Sequence, residues 1–233
     1  MAQRTGPETA KMEALNPNHK NTISQGGLEV HNGNDYNYFT SRCDVGVKGG
    51  GKWYFEVHLK SNSQMLIGFV NARCNFEPDG SNGIGTGNDS WGYDGYNSYK
   101  YHGSGGAESY GSRYWKTDDV IGVCLDLDSK KISYRQNDTD LGVAFTGVST
   151  DVFLFPAVSL KRYQKVLINF GAKKFKHPQK GYLPFHSFVT KAQKTELTKL
   201  FEHYKAIGLK LSESLEDRGD VVKSDGVFEL GTD

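Results

Sequence analysis

Cysteine is scarce: Cys43, Cys74 and Cys124 are the only three in 233 residues, and no two of them form a C-x-x-C pair. An odd count at wide spacing excludes a disulfide framework and a cysteine-based zinc site, and predicts reduced, partly buried thiols. There is no excess charge of either sign, with 28 Lys plus Arg against 27 Asp plus Glu. That near-neutrality argues against a partner held chiefly by global electrostatics, such as bulk nucleic acid or an anionic membrane. Long apolar runs are also missing: the longest, Met65 to Val70, contains Gly68 and falls far short of the roughly 18 residues that a membrane span needs. No membrane insertion is expected. The first 20 residues carry neither the apolar segment of a secretory signal nor a clear transit peptide, so the expected location is cytoplasmic, with the nucleus as an alternative. Without a signal sequence, the sequons Asn88-Asp89-Ser90 and Asn137-Asp138-Thr139 carry no weight.

Catalytic constellations are equally hard to find. Gly46 to Lys52 nearly spells a phosphate-binding loop, but Trp53 stands where a Mg²⁺-binding hydroxyl belongs, and a strand pattern follows where a helix is required. Gly83-Ile84-Gly85-Thr86-Gly87 lacks the spacing and the βαβ setting of a dinucleotide fingerprint. Ser104 in Tyr101-His102-Gly103-Ser104-Gly105-Gly106 has His102, not glycine, two positions before it, which argues against a nucleophile elbow. The seven histidines include no H-E-x-x-H and no pair at helical metal spacing. Asp126 and Asp128 share a strand face, as glycosidase carboxylates would, but they stand beside the Asp128-Ser129-Lys130 turn, where acids are commonplace. No nucleophile, base and oxyanion donor assemble in one place, so neither an enzyme nor a cofactor is expected.

What the chain does have is Gly 28, Tyr 13 and Phe 13 with six prolines, concentrated between about residues 26 and 172. This composition predicts many short strands joined by glycine and asparagine turns. Trp53, Phe55, Val57 and Leu59 alternate with Glu56, His58 and Lys60, a half-buried strand by pattern. Met65 to Val70 reads as a more buried neighbour, and Val120 to Asp128 alternates again. Ile132 and Tyr134, then Leu141, Val143 and Phe145, continue a meander of antiparallel hairpins. Phe153 to Val158 and Val166 to Phe170 add two strands around the basic turn Lys161-Arg162-Tyr163. Strands every 8 to 12 residues or so, with no helical period among them, predict an all-β sandwich or barrel.

The pattern changes after Pro184. Leu197, Leu200, Phe201, Tyr204 and Ile207 recur at intervals of three and four, predicting an amphipathic helix that Gly208 ends. Its apolar stripe either packs on its own domain or docks a partner. Beyond Ser212, seven acids against Arg218 and Lys223 read as a solvated acidic tail, one that could lead into further chain.

Two loop-borne features suggest binding. Asn34-Asp35-Tyr36-Asn37-Tyr38, Asp79 through Asn88, and Tyr93 through Tyr99 are rich in Tyr, Asn, Gly and Ser, a binding-loop composition, although about half of these tyrosines are expected in the sandwich core. Residues 161–180 carry seven Lys or Arg and no acid. That run is read first as strand-edge lysines that resist edge-to-edge pairing, and second as a phosphate or RNA patch.

Leu15-Asn16-Pro17, Gly27-Leu28-Glu29-Val30, Ser41 to Val47 and Gly51 to Val57 resemble the opening of a SPRY (B30.2-like) domain. Ile67-Gly68-Phe69, Asp89-Ser90-Trp91-Gly92-Tyr93-Asp94, Lys100-Tyr101-His102, Asp119 to Asp126, Leu141 to Phe145, Leu154 to Ser159 and Ile168-Asn169-Phe170-Gly171 match that family's successive strands in order. The resemblance covers residues 14–185. It leaves 1–13 as an N-terminal tail, 186–211 as a helical extension and 212–233 as the acidic tail. It implies a bent antiparallel β-sandwich of concanavalin-like type, without catalytic activity, whose loops at one end hold a peptide or folded partner. It also implies an adaptor role, or a place in a larger protein of ubiquitin-ligase, channel or helicase type. Family members that hold short peptides do so with segments corresponding here to Asp35–Tyr38, Asp79–Asn88 and Lys161–Tyr163. The residues implied in partner binding are therefore Asp35, Tyr36, Tyr38, Asp79, Asn82, Asn88, Tyr96, Lys161, Arg162 and Tyr163. Lys161-Arg162-Tyr163 replaces an apolar-aromatic-glycine turn of those members, which favours an acidic peptide ligand. RNA binding through 161–180 and a lectin-like function are the alternatives.

Overall fold

The computed structural model describes residues 3–5, 9–14, 20–74, 83–111 and 114–186. In chain order their strands are β1 (Gln3–Thr5), β2 (Met12–Ala14), β3 (Asn21–Ser24), β4 (Glu29–Asn32), β5 (Phe39–Cys43), β6 (Gly46–Lys48), β7 (Lys52–Leu59), β8 (Met65–Asn71) and β9 (Ser90–Asp94), then β10 (Tyr99–Tyr101), β11 (Ala107–Ser109), β12 (Val120–Asp126), β13 (Lys131–Gln136), β14 (Thr139–Thr146), β15 (Leu154–Leu160), β16 (Lys165–Asn169) and β17 (Leu183–Pro184). Only two short 3-10 turns, Gln25–Gly27 and Gly103–Gly105, interrupt them among the described residues. The expected all-β sandwich is what forms, and the expected C-terminal helix and acidic tail lie outside the described residues.

Two sheets share the chain. A nine-stranded sheet runs β1-β6-β15-β8-β9-β10-β11, with β5 also on β15 and β2 on β5. An eight-stranded sheet runs β14-β13-β12-β7-β16-β4-β3, with β17 parallel to β7. Between the sheets, Phe55 meets Phe69 edge-on at 5.7 Å and Phe170 at 5.8 Å, and Phe185 closes on Trp53, Phe55 and Phe69 at 5.8 to 6.0 Å. A second aromatic group, Tyr93 with Tyr110, Trp115 and Tyr134, fills the other end at 5.0 to 5.1 Å from Tyr93. Offset and edge-to-face ring pairs at these distances add to the area they bury.

Three expectations need correction. Met65 to Val70 is not a neighbour of the Trp53 strand: β8 lies between β15 and β9 in the opposite sheet. Its continuous apolar run reflects cover on both faces, because Leu66 and Val70 pack with Ile84, Phe153, Phe155 and Ala157 in a smaller outer cluster. The strand β7 is not half-buried, since Tyr54 and Glu56 on its outer face are each 0% exposed. A segment from residue 171 to 182 crosses them: the Lys176 and His177 amides donate to the Glu56 carboxylate at 2.9 and 2.7 Å, and Tyr54 Oη donates to the His177 carbonyl at 2.9 Å. Burial alone would raise the Glu56 carboxyl, but hydrogen bonds from His58, His177 and Lys176 outweigh it and hold the group below its ordinary value. Finally, the lysines of 161–180 do not blunt an edge. Lys165 lies on β16, which is paired with β7 on one side and β4 on the other, and Lys173, Lys174 and Lys176 lie on the segment that crosses β7.

Register decides which loops meet. The end of β15 pairs Leu160 with both Phe39 at the start of β5 and Met65, while the start of β16 pairs Lys165 with His31 near the end of β4. The β4–β5 connection and the β15–β16 turn therefore converge at one end of the sandwich.

Candidate partner-binding site

The β15–β16 turn takes the chain from one sheet to the other in four residues, 161–164. Gln164 anchors its inner side: it is 5% exposed, its Oε1 accepts from Ser61 Oγ and the Ser63 amide at 2.8 and 2.9 Å, and its Nε2 donates to the Arg162 carbonyl at 3.1 Å. Tyr163 turns the corner with φ of +62°, a left-handed conformation uncommon outside glycine, and its amide donates to Gly33 O at 2.9 Å. The inner anchor leaves the side chains of Arg162 and Tyr163 on the outside.

Facing this turn, Asn32 fixes the β4–β5 loop. It is fully buried; its Nδ2 donates to Leu160 O at 2.8 Å and to Asn37 O at 3.4 Å, and its Oδ1 accepts from the Asp35 amide at 3.3 Å. Asp35 in turn accepts from the Asn37 amide and pairs with Lys20 at 2.6 Å, which holds its carboxyl below the ordinary value. Tyr36 is thereby presented outward, 70% exposed.

The two loops join through a guanidinium. Arg162 lies 4.4 Å from the ring centre of Tyr36 and 4.5 Å from that of Tyr163, donating to both hydroxyls, with the Tyr163 bond at 2.7 Å. Tyr163 Oη donates on to Asn34 Oδ1 at 3.0 Å. Beneath, Lys161 stands 4.6 Å over the Tyr38 ring and donates to Gln64 Oε1 at 3.0 Å. Tyr38 is half-buried against the outer cluster of β8 and β15, where desolvation raises its phenol, as do the Asp94 and Tyr101 charges. Asp94 is buried at the end of β9; desolvation raises its carboxyl, opposed by bonds from Asn97 and the Tyr96 and Asn97 amides and by Lys161.

The structure thus gathers Asp35, Tyr36, Tyr38, Lys161, Arg162 and Tyr163. Tyr96, 43% exposed, follows Asp94 in the adjoining turn. Asn88 sits at the other end of β9, close to Gly103, and does not join the group. Asp79 and Asn82 lie outside the described residues; of their loop, Ile84 is buried and its amide donates to Ser159 Oγ at 2.9 Å. Sequence reasoning did not single out Asn32 or Gln64, and Asp94 entered it only within a family motif and a tyrosine-rich stretch. A buried Asn next to a loop gives no local signal, and Gln64 is 97 positions from Lys161. Among the described residues no cluster of three His, Cys, Asp or Glu could hold a metal ion. Chemically, the site offers two cations backed by phenol rings and flanked by amide groups, which suits a carboxylate-bearing ligand.

The family model for the SPRY domain matches residues 52–173, more than half of the chain. The chain belongs to the SPRY family. A structure search gives the same fold: the crystal structure of the SPRY domain of human HERC1 superposes with a TM-score of 0.55 over 73% of this chain and 99% of that one, at 19% identity. Among curated proteins, the chain is 35% identical over 155 residues to the E3 ubiquitin-protein ligase RKP of Arabidopsis thaliana, covering 65% of this chain and 12% of that protein. It is 35% identical over 142 residues to a probable ATP-dependent RNA helicase ddx1 of Dictyostelium discoideum (58% and 16%), and 31% identical over 153 residues to a Ran-binding protein M homolog of Arabidopsis thaliana (60% and 31%). The chain spans less than a third of the length of these relatives. A SPRY domain is a protein-interaction module, generally non-catalytic, and the enzymes among these relatives carry it as a small part of a much longer chain.

Proposed function

We propose that this SPRY domain binds an acidic peptide segment of a partner protein at the turn-and-loop site, without catalysis, as an adaptor or as one domain of a regulatory protein. One observation carries the reading: the Arg162 guanidinium stands between the rings of Tyr36 and Tyr163 at an exposed mouth, where a carboxylate can replace a phenol as its acceptor. A guanidinium backed by aromatic faces loses little freedom when it binds, so a carboxylate gained there is worth about 1.5–3 kcal/mol. The site is smaller than a standard interface of roughly 1,600 Å², so the dissociation constant is expected near micromolar unless a second contact adds avidity. The ubiquitin-ligase, helicase and Ran-binding settings of the relatives support a regulatory context, in the cytoplasm or the nucleus.

The test is affinity capture with the wild-type chain beside an Arg162→Glu, Tyr163→Ala variant, followed by titration of the recovered partner's acidic segments as synthetic peptides. At least one segment should bind the wild type and weaken about tenfold or more in the variant. Equal binding to both proteins, or recovery abolished by nuclease, would reject the site.

A further inference from the structure

A second cavity lies on the outer face of the eight-stranded sheet, at the far end of β16 from the Arg162 turn. Its volume is about 450 Å³, within the 300–1,000 Å³ or so typical of ligand pockets. The apolar part of the floor is Leu28 and Leu167, over the chain at Ile168 and Phe170, whose own side chains are buried in the core. The wall is the segment that crosses β7, pinned there by its Lys176 and His177 amides on the buried Glu56 carboxylate. Asn169 Nδ2 fastens the same segment by donating to the carbonyls of Lys173 and Lys174 at 3.1 and 3.4 Å.

The charge around this cavity is one-sided. Among the described residues its lining carries Lys11, Lys173, Lys174 and Lys176 and no acid. Among the described residues no ion pair engages any of these four ammonium groups. The nearby carboxylates are already committed: Glu56 to His58 and the two amides, Glu29 to Ser24, Gln25 and Lys165, and Asp44, which feels the Lys11 charge, to the Lys11 amide at 2.9 Å. Four unpaired cations around an apolar floor call for an occupant that supplies both an apolar group and negative charge. A nucleic acid strand would meet the cations, but its bases would need an open ring to stack on; among the described lining residues Phe170 is 1% exposed, and the imidazoles of His58 and His186 are half-buried, that of His58 bound to Glu56 at 3.4 Å.

We propose that this cavity is a second binding site, taking an acidic peptide segment of a partner that inserts a large apolar side chain over Leu28 and Leu167 while its flanking carboxylates meet Lys11, Lys173, Lys174 and Lys176. The site is separate from the Arg162 turn, at the other end of β16. The proposal goes beyond the reading of the first site and stands if that reading fails.

The experiment is fluorescence anisotropy on the full chain with a fluorescein-labelled Glu-Glu-Phe-Glu-Glu peptide, its Glu-Glu-Ser-Glu-Glu counterpart, and three variants. Lys173 and Lys174 are exposed, and among the described residues no ion pair engages their ammonium groups, so Lys173→Glu, Lys174→Glu should fold normally, checked by its unfolding midpoint. It should weaken the Phe peptide about tenfold or more, and the Ser peptide should bind the wild type about tenfold more weakly than the Phe peptide. In the Arg162→Glu, Tyr163→Ala background, which removes the first acidic-peptide site, the Phe peptide should still bind and the lysine reversals should still weaken it about tenfold or more. Equal binding of both peptides, or no loss with the lysine reversals, would overturn the proposal. So would a gain of affinity in the third variant, Asp225→Asn, Glu229→Gln, because the chain's own acidic stretch would then be the occupant.

Discussion

Replacing Glu56 tests how the polar segment of 171–182 is held on an apolar sheet. The carboxylate is 0% exposed and accepts two backbone amides, at 2.9 and 2.7 Å, from residues 120 and 121 positions away. Alanine removes both acceptors and leaves two amides without partners; at about 1–3 kcal/mol each, the expected loss is about 3–5 kcal/mol. Glutamine keeps the shape and one acceptor oxygen but turns its amide group toward the second N–H, so about 1–3 kcal/mol should be lost. The sign of the pH dependence follows from a carboxyl whose folded value is lowered from 4.5. Its contribution is fully present above the ordinary value and disappears as the pH falls through the lower folded value. Wild type should therefore weaken below about pH 4.5, and Glu56→Gln should show less of that slope. Urea unfolding at about pH 7 and pH 4 reads the stabilities, and hydrogen exchange over residues 172–182 reads the local effect. A Glu56→Gln protein within about 0.5 kcal/mol of wild type at neutral pH, with unchanged exchange there, would refute this account.

Other substitutions probe other joints. Asn32→Ala removes the donor to the Leu160 and Asn37 carbonyls; it should cost about 2–3 kcal/mol in urea unfolding and weaken ligand binding at the Arg162 turn, and a stable variant with full affinity would show that Asn32 does not set the loop. A methyl group on Gly95 would collide with the Trp115 indole, so Gly95→Ala should lose about 1–3 kcal/mol or more, whereas Gly105→Ala, with open space around it, should stay within about 0.5 kcal/mol. Burial pushes the Cys74 thiol up to about 11 and that of Cys124 to about 12, and holds that of Cys43 well above its ordinary value. Maleimide at neutral pH should therefore label the folded protein slowly, with half-buried Cys74 first, and the urea-unfolded protein fast. Early labelling of Cys43 would mean that the β5 region opens readily.

The strands were legible in the sequence because each carries its own periodicity, and partnership was not, because periodicity has no memory of the other strand. Val120 to Asp128 and Lys52 to Leu59 alternate and do pair, Val123 with Phe55 and Leu125 with Trp53. Met65 to Val70 follows a few residues later and crosses to the other sheet, which nothing in its apolar run announces. Cover from afar is equally silent: Glu56 reads as solvent-facing until a segment 120 positions downstream closes on it and on its neighbour Tyr54. The candidate site divides the same way. Tyr36, Arg162 and Tyr163 stand out by residue type, and their stacking depends on a separation of 126 positions that only the register of β15 and β16 removes. Asn88 shares their composition but is separated from them by the length of β9.

A net charge of +1 describes this chain poorly as an electrostatic object. Five of the seven cations of 161–180 are split by the fold, Lys161 and Arg162 at the loop end and Lys173, Lys174 and Lys176 along the cavity on the outer face. Field lines concentrate where low-dielectric walls surround like charges, so two small positive foci arise on a nearly neutral molecule. Each alone is too small for tight binding. A single flexible acidic partner that reached both would bind the second intramolecularly, at an effective concentration set by the length between its two acidic segments. Shortening that connection below the span of the sandwich would then abolish the avidity while leaving each contact intact, a dependence on linker length that one extended electrostatic patch would not produce.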